Sequence, residues 1–236
     1  MKSSFEMHCE NSFKLGGAIG HRVLYIYLLI DSSQSMSTHG KNQSVNYAGA
    51  KILVSLRGLL HEHPALTVEI VVITFDASAK IHNHITDIKN ATWHPVGADG
   101  VDTRLSPALD LLAEQMPGLE GRKLYAPLFV VVSDGLLGDR NFNGSLQKVL
   151  STKWGQRAVR IAIAIDGNQG EHDIEPLRSF MSTKGHEPLI AADAEQLAQY
   201  IDWAVSTMSS SIVMGNDDTQ VWPNQSTIVM GGEDVV

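Results

Sequence analysis

The stretch Val23-Leu-Tyr-Ile-Tyr-Leu-Leu-Ile30, followed at once by Asp31-Ser-Ser33-Gln-Ser35-Met36, decides the fold of this 236-residue chain. An apolar run without alternation, closed abruptly by small polar residues, fits a strand buried on both faces of a parallel sheet. A carboxylate stands where that strand ends. The hydroxyls of Ser33 and Ser35 follow on a segment too polar to continue it. Alternate residues of an extended turn project the same way, so Asp31, Ser33 and Ser35 are expected to converge on one point. Hard oxygen donors of this kind suit Mg²⁺ or Mn²⁺ and suit zinc or copper poorly.

Downstream, apolar residues at Ala48, Ile52, Leu53, Leu56, Leu59 and Leu60 predict an amphipathic helix from Val45. Leu66 to Phe75 is rich in β-branched residues and reads as a second strand. Ala79 to Ile85 follows after a link short enough for a hairpin, so it is expected as an antiparallel edge strand. A loop from Ala91 to Val101 leads past Thr103 into a helix marked by Leu105, Ala108, Leu109, Leu112 and Met116. Leu128 to Val132 is the next strand, closing on Ser133-Asp134-Gly135, and Leu146, Val149 and Leu150 mark the helix after it. Val159 to Ile165 and Leu189 to Ala192 complete the strands, with a short helix from Asp173 between them. Asp193, with Gln196 three residues on, is placed to cap a last helix carrying Leu197, Tyr200, Ile201, Ala204 and Met208.

Strands alternating with helices specify an α/β fold: a doubly wound, mostly parallel six-stranded sheet in the order 3-2-1-4-5-6, strand 3 an antiparallel edge, helices on both faces. Residues 1–20 show no periodicity and read as a lead-in, 21–208 as the domain and 209–236 as a C-terminal tail. In such a sheet the ligand site lies beyond the carboxyl ends of the strands, where the winding reverses. That topology brings Asp31 and Asp134 together from neighbouring strands, and Thr103 arrives at the same edge.

A net charge of -8 argues against binding to nucleic acid or acidic membranes, both of which need a basic face. Protein partners and cations remain. Cys9 is the one cysteine, so no internal disulfide points to an oxidising compartment. Charged and polar residues interrupt the first 20 positions, which leaves no apolar core for a signal peptide. The longest apolar runs fall well short of a bilayer span. A cytoplasmic protein is the expectation.

Asp31, Ser33 and Ser35, then Thr103, then Asp134 resemble, in order and context, the metal-ion-dependent adhesion site of von Willebrand factor A domains. The resemblance implies a divalent ion, Mg²⁺ or Mn²⁺, held by those five residues and completed by an Asp or Glu from a protein partner. It implies a protein-interaction module and not an enzyme. The wording Tyr27-Leu-Leu-Ile-Asp31-Ser-Ser-Gln-Ser-Met36, Ile73-Thr-Phe-Asp-Ala-Ser-Ala-Lys80 and Val132-Ser-Asp-Gly135 is most similar to the bacterial cytoplasmic TerY-like branch, associated with tellurium resistance. That likeness implies an adaptor in a stress or metal-resistance phospho-signalling system, with a protein kinase and a PP2C-type phosphatase as partners. Gln34 stands where the family commonly has Gly, and Leu136-Leu-Gly-Asp139 departs from a common Pro-Thr-Asp continuation.

Two other classes compete. A metal-dependent hydrolase or phosphatase of the haloacid-dehalogenase type places its nucleophile after the first strand, but needs a second Asp where Ser33 stands. No Gly-x-x-x-x-Gly-Lys-(Ser/Thr) loop supports a nucleotide role. A histidine-based metal buffer draws on His61, His63, His82, His84 and His94, with His82 and His84 expected on one face of the edge strand. The plainest alternative has Asp31 and Asp134 capping loops while the serines make turn hydrogen bonds.

The tail repeats itself: Ser210-Ser-Ile-Val-Met-Gly-Asn-Asp-Asp218 recurs as Ser226-Thr-Ile-Val-Met-Gly-Gly-Glu-Asp234. Ser211 and Thr227 are candidate phosphorylation sites for a partner kinase, and Ile-Val-Met is a candidate strand for a partner's sheet edge.

Overall fold

The computed structural model describes residues 22–134, 139–165, 174–182 and 187–213. Its elements run β1 (Val23–Asp31), α1 (Lys41–Glu62), β2 (Thr67–Phe75), β3 (Ala79–Ile85), α2 (Ser106–Gln115), β4 (Leu128–Ser133), α3 (Phe142–Leu150), α4 (Lys153–Arg157), β5 (Val159–Ile165), α5 (Glu175–Phe180), β6 (Leu189–Ala191) and α6 (Ala194–Val213). One six-stranded sheet results, in the order β3-β2-β1-β4-β5-β6. Only the β2–β3 pair is antiparallel. The expected topology is the observed one.

β1 lies at the centre because both its faces are apolar. Leu24, Ile26, Leu28 and Ile30 point to one side, where α1 contributes Val45, Ala48, Ile52, Leu53 and Leu56, and α6 contributes Leu197, Ile201, Ala204 and Val205. Tyr25, Tyr27 and Leu29 point to the other, against Ala108, Leu109 and Leu112 of α2 and Leu146 and Val149 of α3. Each buried side chain of Leu size contributes about 1.5–3 kcal/mol, which is why the least alternating strand takes the middle of the sheet.

Several boundaries differ from expectation. α1 starts at Lys41, a turn before the first apolar position, and α4 is a short additional helix after α3. Asp173 lies outside the described residues. The Asp193 cap is present: Asp193 Oδ1 accepts from Gln196 N at 2.8 Å, and Gln196 Oε1 accepts from Ala192 N at 2.7 Å. α6 continues through Ser210–Val213, and Ile212 is partly buried against the core. The first copy of the repeated tail motif therefore begins as helix. The second copy, with Thr227, lies outside the described residues.

Candidate metal centre

Asp31 closes β1 and is buried. Its Oδ1 accepts from Ser33 N at 2.9 Å and its Oδ2 from Ser133 Oγ at 2.7 Å. Burial pushes its pKa up, the charge of Asp134 adds to that rise, and the hydrogen bonds from Ser133 and Ser33 oppose it.

Ser33 and Ser35 do converge, with their hydroxyl oxygens 2.9 Å apart. The route is not the extended turn expected from the sequence. Ser33 is extended, at φ -65° and ψ 160°, and a 3₁₀ turn over Gln34–Ser37 then carries Ser35 back toward it. Two side chains, Ser37 and Thr38, hold this turn by donating to the carbonyls of Gln34 and Ser35, each at 2.7 Å. Met36 anchors it in the core on the α1 side of the sheet.

The loop bearing Thr103 is tied to this segment by backbone hydrogen bonds. Gln34 N donates to Gly100 O at 2.8 Å, Gly100 N donates to Ser32 O at 3.0 Å, and Ser33 and Gly100 form an isolated parallel bridge. A Cβ on Gly100 would run into the Asp76 side chain, so this close approach requires glycine. Upstream, Asn46 of α1 accepts from Trp93 Nε1 at 3.0 Å and Val96 N at 2.8 Å and donates to Val96 O at 3.0 Å. Gly49, one turn on, leaves room for the Trp93 ring. Thr103, three residues beyond Gly100, is buried at the same edge of the sheet.

Asp134 follows β4 and is also buried. Its Oδ2 accepts from Lys41 Nζ at 2.9 Å. Sequence reasoning missed Lys41. A lysine at the first position of a helix opposes the helix dipole by about 0.3–1 kcal/mol, but with the helix expected from Val45 that misplacement was not visible in the sequence.

The candidate donors are two carboxylates and three hydroxyls, all hard oxygen ligands of the kind that suits Mg²⁺ or Mn²⁺. Their charge fits as well. Asp31 is met by neutral donors and Lys41 pairs with Asp134, so these three groups together carry one net negative charge when ionised. Beside the site a pocket of about 150 Å³ is lined by Ser32, Thr74, Asp76, Lys80, His82 and Asp99 among others, and the buried Thr74 Oγ1 on its wall has no hydrogen-bond partner.

His82 and His84 of the edge strand go to different partners. Val72 pairs with Asn83 and Ile73 with Ile81, leaving His82 in a bulge that breaks the alternation. His82 Nε2 meets the His94 carbonyl at 3.1 Å, whereas His84 Nε2 meets Glu69 Oε2 at 2.9 Å. The expected shared face of His82 and His84 is thus corrected. Among the described residues no three His, Cys, Asp or Glu side chains are grouped to hold a metal.

No protein-family model matches the sequence, and no curated protein does. Solved structures do match the fold. A von Willebrand factor type A protein from Catenulispora acidiphila aligns over 80% of this chain at 13% identity and a TM-score of 0.56, the match spanning 43% of that protein. The vWF domain of the type V pili tip protein Mfa5 from Porphyromonas gingivalis aligns over 87% of this chain and 99% of its own length, at 12% identity and a TM-score of 0.58. The pilus adhesin SpaC from Lactobacillus rhamnosus GG aligns at 10% identity and a TM-score of 0.59, over 80% of this chain and 31% of that one. The chain has the von Willebrand factor A fold.

Proposed function

We propose that this domain is a non-catalytic protein-interaction module whose binding surface is a divalent-ion centre formed by Asp31, Ser33, Ser35, Thr103 and Asp134. One observation carries the proposal: two buried carboxylates and a converging pair of serine hydroxyls meet at the carboxyl edge of the sheet with negative charge in excess. An ion held largely by neutral hydroxyls keeps residual positive charge, which an Asp or Glu side chain from a partner neutralises. Ser33 and Ser35 supply geometry. Asp31, with both oxygens engaged, acts through water or as a counter-charge. Ser33 stands where a phosphatase of the competing class needs an acid, which favours binding over turnover. A solved pilus adhesin and a pili tip protein share this fold, which is in keeping with an interaction role.

The setting we propose is a bacterial cytoplasmic stress or metal-resistance system in which the domain is an adaptor between a protein kinase and a PP2C-type phosphatase. The wording around Asp31, Ile73–Lys80 and Val132–Gly135 supports it. No helix among the described residues is long and apolar enough to cross a membrane.

The test is capture from a lysate of the native host in Mg²⁺, in chelator and with Thr103→Ala. The proposal expects a partner held only by the wild type in Mg²⁺, released by chelator, and identified by mass as a kinase or phosphatase. Identical retention in all three conditions overturns it. Phosphoester turnover that vanishes in Asp31→Asn would establish the enzyme instead.

A further inference from the structure

We infer that Lys41 is a tethered cation built into this centre, which competes with the divalent ion for Asp134 and leaves the carboxylate when the ion binds. The inference rests on the proposed metal-binding role of the site and concerns a residue outside the five-part motif.

The placement of Lys41 is the first observation. Its side chain is 9% exposed and that of Asp134 0%, with Nζ 2.9 Å from Oδ2. Lysine is seldom buried to this degree unless paired, because its ammonium is costly to remove from water. The backbone turns sharply to deliver it: His39 and Gly40 both take left-handed conformations, at φ 52° and 74°. For His39 that conformation is uncommon and strained. α1 also begins with no acidic residue in its first turn and no side-chain cap. Local forces at the start of α1 therefore disfavour a cation, and the carboxylate of Asp134 is what holds it there.

Charge arithmetic gives the consequence. Asp31, Asp134 and Lys41 sum to one negative charge. A divalent ion added on top leaves one positive charge in excess, with two cations crowded on one buried carboxylate, where repulsion is weakly screened. A divalent ion with Lys41 withdrawn balances the two carboxylates. The four-carbon stem of lysine permits that withdrawal without moving the helix, since the ammonium need only swing toward water. Ion binding and release of Lys41 are then one event. The ion-free protein stays folded because Asp134 always has a cation, and the ion binds more weakly than its oxygen donors alone would allow. The released ammonium adds positive charge at the mouth of the site, where a partner's carboxylate approaches.

Calorimetric titration of the full chain with MgCl₂ and MnCl₂, comparing wild type, Lys41→Met and Lys41→Arg, tests this. Lys41→Met should bind either ion about tenfold more tightly, the scale of an ordinary coupling between two ligands, while Lys41→Arg stays within about threefold of wild type. Equal or weaker binding by Lys41→Met overturns the role of Lys41 and leaves the metal centre standing. Failure of every variant to bind either ion overturns the metal centre and this inference with it. A second measurement needs no variant. Acetylation of wild-type lysines by acetic anhydride, read by peptide mass, should rise several-fold at Lys41 when Mg²⁺ is added and stay constant at Lys51, whose side chain is 50% exposed. Unchanged protection of Lys41 overturns the displacement.

Discussion

Ser133 Oγ donates to Asp31 Oδ2 at 2.7 Å across the seam between β4 and β1, joining residues 102 positions apart. Neither side chain is exposed to water to any useful extent. The contact fixes the orientation of the carboxylate that opens the proposed metal centre, and it satisfies one lone pair that burial would otherwise strand.

Ser133→Ala leaves that oxygen without its donor. The expected cost is about 1–3 kcal/mol of folding stability, measured by urea denaturation without divalent ion. Mg²⁺ should recover part of it. A variant as stable as wild type would mean that the Asp31 carboxylate finds another donor.

Gly49→Ala separates helix propensity from packing. Alanine favours the helix by about 1 kcal/mol, yet its Cβ would fall within the Trp93 ring, and overpacking of this kind costs about 1–3 kcal/mol. The expected result is a less stable protein that trypsin cuts faster after Lys89, as the loop lifts from α1. A more stable protein with an unchanged cleavage pattern would show that the ring relocates freely.

Glu69 supplies a pH prediction remote from the metal centre. Burial acts to raise its pKa, but hydrogen bonds from Tyr25, His84 and Arg122, with the charge of Arg122, outweigh it and hold the carboxyl below its ordinary 4.5. A folded-state pKa below the unfolded one contributes stability that is present above about pH 4.5 and lost as pH falls toward the folded value. Glu69→Gln should flatten the acid limb of the stability curve between those limits. Tyr25, pushed up to about 12 chiefly by burial and then by Glu69, should titrate closer to its ordinary 10.0 in the same variant. Superimposable acid limbs would contradict this.

The tail yields a prediction tied to α6, which runs to Val213. Co-expression with the proposed kinase partner should add mass in steps of one phosphate on peptides containing Ser211 and Thr227. Phosphate at Ser211 would stand in the last turn of a helix, where negative charge is disfavoured, and should lower helix content by circular dichroism. No added mass on the tail would end the idea.

Much of this was legible beforehand because burial on both faces leaves a blunt signature. β1, β4 and β5 are continuous apolar runs, and their order with the intervening helices dictates the sheet. The convergence of Asp31 and Asp134 on one edge of the sheet is legible for a related reason, since each stands at or just beyond the end of a buried parallel strand. What escaped depends on backbone detail. The 3₁₀ turn that closes Ser35 onto Ser33 has no periodicity of its own. The bulge at His82 shifts one residue and sends the two histidines to different partners. Lys41 was hidden because a charged residue at the start of a helix ordinarily faces water, and only the tertiary fold places Asp134 beside it.

The clamp of Asn46 on Trp93 and Val96 has a mechanical consequence. A segment without regular structure, which would ordinarily absorb displacement, is fastened to the same helix whose first residue pairs with Asp134. α1 and that loop are fastened at Asn46, so displacing either one breaks three hydrogen bonds. The position of the chain leading to Gly100 and Thr103 is therefore set from α1 as well as from the end of β1.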